Sequence, residues 1–163
     1  MKKYFSFAWV LAFALIACNN ETEAHKNGED HPHATTATEK FEMPSMPEVP
    51  NDATVFFENL KEGQTVGSSV AVKMGVTGLS VDTANGILKP SSGHHHILID
   101  LDSVLTETVI PKDSIHLHFG NAQTSAEIKL PKGKHKLTLQ FADALHRSYG
   151  AKLTSSVFVN VKE

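Results

Sequence analysis

Thiols and indoles are almost missing from this chain. Its 163 residues include one cysteine, Cys18, and one tryptophan, Trp9. A single thiol excludes an intramolecular disulfide and a multi-thiolate metal cluster. Aromatic residues make up only 7% of the chain, and no platform for stacking bases or sugars stands out. Positive charge is not in excess either, since 15 Lys and Arg against 18 Asp and Glu leave a formal net charge of -3. That balance lacks the basic footprint of a nucleic-acid binder, so no nucleic-acid partner is expected. No Gly-x-Ser-x-Gly elbow marks a serine hydrolase. With 40% hydrophobic residues, the chain has material for one core and not for two. Histidine is the residue in excess, at ten copies.

The N-terminus reads as a targeting segment. Lys2-Lys3 form a positive start, Tyr4 to Ala17 an apolar run, and Leu15-Ile16-Ala17-Cys18 closes it. The closing tetrapeptide resembles the lipobox of bacterial lipoproteins, with the only cysteine at the position that carries lipid. The apolar run is short for a bilayer span, which needs ~20 residues, so residues 1–17 are expected to be a lipoprotein signal peptide and Cys18 the lipidated residue. Asn19-Asn20 follow Cys18, where an aspartate would signal inner-membrane retention. The expected location is therefore the bacterial cell envelope, lipid-anchored, with the outer membrane preferred over the inner.

Residues 18–52 are rich in charge, Thr and Pro and poor in large apolar side chains, the composition of a flexible tether. The tether carries His25, His31 and His33 with Met43 and Met46. From Ala53 the texture changes to short alternating segments separated by turn residues. Thr54 to Asn59, Ser69 to Thr77, Ile87 to Leu88, His94 to Leu101, Ile115 to Phe119, Ser125 to Leu130, His135 to Phe141 and Thr154 to Val161 are predicted strands. Seven or eight short strands over residues 53–163, with no sustained helical period, predict an all-β domain: an immunoglobulin-like antiparallel β-sandwich. Two features support this class. Gly133-Lys134-His135-Lys136-Leu137 looks like the Gly-x-Tyr-x-Leu corner of such domains, with His135 in the tyrosine position, and Val157, Val159 and Val161 alternate as in a closing strand.

Five histidines fall on two of these segments, in Gly93-His94-His95-His96-Ile97-Leu98-Ile99 and His116-Leu117-His118-Phe119. Side chains alternate along a strand. If His95, Ile97, Ile99, Leu101, Leu117 and Phe119 face the core, then His94, His96, His116 and His118 share the other face with Leu98 and Asp100. Residues two apart on a strand are ~6.5 to 7 Å apart, and opposed residues have Cβ atoms ~5 Å apart. Two His-x-His pairs on neighbouring strands can therefore meet at one ion at about 2.0 Å from each nitrogen. Imidazoles without thiolate suit copper or zinc. Asp100 offers an oxygen ligand or an acceptor that orients an imidazole, and His135, or Asp143 with His146, can add a ligand if the fold brings them near. His95, on the apolar face, reads as a structural residue.

These residues also carry a family resemblance. Val55-Phe56-Phe57 with Asn59-Leu60-Lys61-Glu62-Gly63, then Gly93 to Asp100, then His116 to Gly120 with Gln123-Thr124, then Leu130 to His135 resemble a bacterial family of exported proteins catalogued as domain of unknown function 4399. The resemblance covers about residues 54–162. It implies a periplasmic or lipid-anchored β-sandwich whose histidine motifs are the functional surface. Members often carry Asp-His-x-His-x-Pro-His where this chain has Asp143-Ala144-Leu145-His146-Arg147-Ser148-Tyr149, so only Asp143 and His146 carry over from that loop.

The expectation is thus a lipid-anchored envelope protein that binds a copper or zinc ion through His94, His96, His116, His118 and His135, for metal handling or buffering. Its partners would be the membrane, through lipid on Cys18, and the ion. Two alternatives are an accessory module docking another envelope protein or a glycan without metal, and a metal-dependent hydrolase, for which the sequence supplies neither general base nor cleft.

Overall fold

The computed structural model describes residues 42–163. The expected signal peptide, lipidation at Cys18, and His25, His31 and His33 lie outside the described residues.

Among the described residues nine strands follow one another, with a single 3₁₀ turn at Gly150–Leu153. They are β1 (Thr54–Phe57), β2 (Gln64–Val66), β3 (Ser69–Thr77), β4 (Ser80–Val81), β5 (Ser92–Ile99), β6 (His116–Phe119), β7 (Ser125–Lys129), β8 (Gly133–Ala142) and β9 (Thr154–Val161). One sheet has the order β1-β3-β7, and the other the order β2-β9-β8-β5-β4, with β6 also paired to β5. Alternation generates the core between them. Val55 and Phe57, Val70, Val72 and Met74, Ile97, Leu137, Leu139 and Phe141, and Val159 and Val161 all point inward. This is the expected all-β sandwich, with pairing antiparallel except for β2 on β9 and β4 on β5.

The differences from the expected strands have local causes. Gln64–Val66 and Ser80–Val81 are too short to display a period and form only because a longer strand offers them an edge. Ile87-Leu88 is not a strand, and Ile87 is 62% exposed. The strand after Gly93 ends at Ile99 because Asp100 adopts φ 58°, a left-handed conformation that takes the chain out of the pleat. Leu101, expected on the core face with Ile97 and Ile99, therefore packs on the opposite side with Leu98, Val104, Ile110 and Ala142.

The compact unit begins at Glu42, within the stretch whose composition reads as tether. Met46 and Val49 pack against the core, the Ser91 amide donates to the Glu48 carbonyl at 2.9 Å, and the Arg147 guanidinium donates to the carbonyls of Pro44 and Ser45. Residues 44–50 form a strap on the domain. Three prolines, Pro44, Pro47 and Pro50, restrict the backbone beforehand and reduce the entropy lost on docking.

Candidate metal centre

Strands β5 and β6 are neighbours. His96 lies opposite His118 and Leu98 opposite His116, while the other edge of β5 pairs with β8, His94 opposite Ala142 and His96 opposite Gln140. The pleat then sorts the side chains. Ile97 and Phe119 enter the main core, and His94, His96 and His118 collect on the other face, with ring centroids 4.8, 5.0 and 5.1 Å apart. One ligand nitrogen from each of these three residues lies within 4.8 Å of the others, and among the described residues they form the one such group.

This outer face is covered. Residues 104–110 and 146–148 make a second layer over it: Val109 bridges Arg147, and the Ile110 amide donates to the His146 carbonyl at 2.9 Å. Ile110 and Val104 pack on Leu98. As a result His94 and His96 are fully buried, whereas His118, on the edge strand β6, keeps partial exposure. Burial pushes the His94 and His96 imidazoles down to about 3 and about 2, with the neighbouring rings adding to the shift. His118 is also lowered, by burial and then by His146 and Lys112. Desolvation disfavours the imidazolium form, so the cluster is a set of neutral ligands at pH 7.

The hydrogen-bond record separates these rings from the polar groups around them. Gln140, on the same face beside His96 and fully buried, has every polar atom engaged. Its Nε2 donates to the carbonyls of Gly150 and Leu153 at 3.0 and 3.2 Å, and its Oε1 accepts from the Val104 amide and the Thr154 hydroxyl. By contrast His94 and His96 meet through their Nε2 atoms at 2.9 Å, and His94 Nδ1, His96 Nδ1 and His118 Nε2 have no protein partner. Buried polar atoms without partners are rare and call for an explanation. Three of them in one cluster leave nitrogen atoms of three different rings free to meet one ligand.

Gly120 follows from the same packing. A Cβ there would fall 2.3 Å from Cε1 and Nε2 of His118, so the ring occupies the space that glycine leaves.

The other histidines expected at the site are placed elsewhere. His116 shares the face but sits one row along, its Nδ1 held at 2.9 Å from both carboxylate oxygens of Asp113. His135 lies on the core face at the far end of β8. Its Nε2 contacts the Pro131 carbonyl at 3.0 Å and its Nδ1 contacts Asp100 Oδ2 at 2.8 Å. It performs the duty of the corner tyrosine, bonding back to the backbone just upstream, and has no nitrogen left for an ion. Asp100, turned by its positive φ, serves His135 and the Lys136 amide and not the cluster. His95 is fully buried on the core face against Phe141, with both ring nitrogens unpartnered. His146, held on the covering turn, comes within 4.8 Å of His118 and 5.1 Å of His94 between ring centroids.

Fold and site together define a class: a two-sheet β-sandwich with a buried cluster of neutral imidazoles between one sheet and a covering loop layer. The family described as Domain of unknown function (DUF4399) matches residues 72–162, more than half of the chain, and the chain belongs to that family. Neither the curated proteins nor the solved structures compared with it contain a match.

Proposed function

We propose that this domain binds one copper or zinc ion through His94, His96 and His118 and that it holds or buffers that ion at the bacterial cell surface, tethered by lipid on Cys18. The observation that carries the reading is the cluster itself: two buried rings and one half-buried ring whose ligand atoms lie within 4.8 Å of one another, each with one buried nitrogen that has no protein partner. His95 also lacks partners, but it stands alone against Phe141, whereas these three rings bring their ligand atoms to one place. An all-nitrogen ligand set favours zinc or copper over magnesium or calcium, which prefer oxygen. The ligands come from strands of one sheet, so the geometry is set before the ion arrives.

Titration calorimetry with zinc(II) and copper(II) tests this on the wild-type protein and a His96→Ala, His118→Ala double variant. One ion per wild-type chain and none on the variant is the expected result. Equal, weak binding by both proteins overturns the proposal.

A further inference from the structure

We infer that His146 is a fourth ligand, carried on the covering turn, and that the bound ion is enclosed by four imidazoles with no coordination position open to water. This inference rests on the metal reading above and extends it.

Four imidazoles around one ion in a tetrahedral arrangement, with metal–nitrogen bonds of ~2.0 Å, have ring centroids about 5 Å apart. The centroids of His94, His96 and His118 are separated by 4.8, 5.0 and 5.1 Å. His146 adds a fourth vertex at 4.8 Å from His118, 5.1 Å from His94 and 6.3 Å from His96. The four rings thus occupy the corners of a tetrahedron opened slightly along one edge. The His146 ring lies nearly parallel to His118, at 26°; its nitrogens stand outside the group of ligand atoms within 4.8 Å of one another, so coordination requires the ring to turn about its own side-chain torsions.

The turn that carries His146 is built to hold it there. His146 has φ 66°, a left-handed conformation that a plain turn would give to glycine or asparagine. Such strain persists only where the surroundings over-determine it, and it gathers at functional sites. Here the surroundings are a buried ion pair. Asp143, fully buried, accepts from the Leu145 and Arg147 amides at 2.8 and 2.9 Å and from the Arg147 guanidinium at 2.7 Å. Arg147 in turn donates to the Pro44 and Ser45 carbonyls, so the strap at the N-terminal edge of the domain is bolted to the residue next to His146. From the other side, the Ile110 amide holds the His146 carbonyl at 2.9 Å.

Coordination number decides what the site can do. Three histidines with an open position generate a metal-bound water and permit hydrolysis, whereas a closed set of four holds the ion and activates nothing. His146 therefore separates an ion-holding protein from a hydrolase.

Cobalt(II), a coloured substitute for zinc, is the probe, added to the purified full chain of wild type, His146→Gly, His146→Asn and His96→Ala. Glycine and asparagine both accept the φ of this turn, and far-UV circular dichroism checks each fold. The wild type is expected to show intense tetrahedral visible bands that azide leaves unchanged. Both His146 variants should still bind cobalt, at least the ~10- to 100-fold more weakly that loss of an orienting neighbour already produces, and their bands should shift on adding azide. Wild-type bands that move with azide, or His146 variants with wild-type affinity and spectrum, overturn the inference and leave a three-histidine site. No cobalt on the wild type overturns both readings, and its loss in His96→Ala alone supports the parent one.

Discussion

The histidine cluster on the outer face of the sheet and His135 on its core face use one residue type in opposite ways. On the covered outer face, His94, His96 and His118 stand together with ring nitrogens lacking protein partners. On the core face, His135 has an acceptor within hydrogen-bond distance of each nitrogen, Asp100 of one and the Pro131 carbonyl of the other. Burial alone does not distinguish the two, because His135 is also buried, at 9% exposure. The difference lies in whether the fold supplies acceptors. Where it does, histidine is a structural peg. Where it supplies more histidines, their lone pairs are left for something else.

The sharpest break in this comparison is metal-linked stability. An ion that binds only the folded chain stabilises it by about 2.7 kcal/mol at a concentration of 100 times its Kd. Chemical denaturation with zinc at that excess should show this gain in the wild type and in His135→Phe, and no gain in the His96→Ala, His118→Ala variant. A gain that survives loss of both rings would place the ion elsewhere.

The next effect is acid sensitivity of the metal-free protein. His94 and His96 are pushed from 6.5 to about 3 and about 2 by burial. Between pH 6.5 and about 3 the unfolded chain therefore binds protons that the folded chain refuses. Stability is full above 6.5 and falls as pH is lowered, by up to about 1.4 kcal/mol per pH unit for each such ring. Urea denaturation from pH 7.5 to 4 checks this, and His94→Ala, His96→Ala should flatten the slope. The same depression keeps the ligands neutral below the ordinary imidazole range, so protons should begin to compete with the metal only at a pH below that range.

On the core face the changes are smaller and act on stability alone. His135→Phe removes the bonds to Asp100 and Pro131 and should lower stability by roughly 1 to 2 kcal/mol while leaving metal uptake unchanged. Asp100 is exposed enough for water to replace its part of the loss. His95→Leu runs the other way. Both nitrogens of His95 are buried without partners against Phe141, and replacing the ring with an apolar side chain of similar volume should raise the unfolding free energy by about 1 kcal/mol. A loss there would mean that His95 has a role in the core beyond filling it.

Much of this arrangement is legible in the sequence. The alternation in Ser69 to Thr77 and Thr154 to Val161 gives those strands to the residue, and the phase of His94, His96 and His118 against Ile97, Leu117 and Phe119 puts the three histidines on one face. Gly-x-His-x-Leu at Gly133 marks a corner, but His135 still reads from the sequence as a ligand, and only its contacts with Asp100 and the Pro131 carbonyl take it away from the cluster. The turn at Asp100 is less legible: an aspartate accepts a positive φ, but nothing nearby states that it does so here. His146 is harder still. Its segment has no period, and its proximity to β5 comes from an ion pair between Asp143 and Arg147 and from contacts with residues 104–110.

The sequence by itself determined which residues alternate, and hence the sandwich and the side of the strand on which each histidine falls, because the two-residue pleat is a local property of the backbone. Tertiary structure alone decided that β5 and β6 are neighbours, that a loop layer seals the histidine face, that the strap at residues 44–50 docks, and that His146 joins the cluster while His135 does not. Those outcomes depend on contacts between segments tens of residues apart, and no local pattern encodes the distance between two side chains that meet only when the chain has closed on itself.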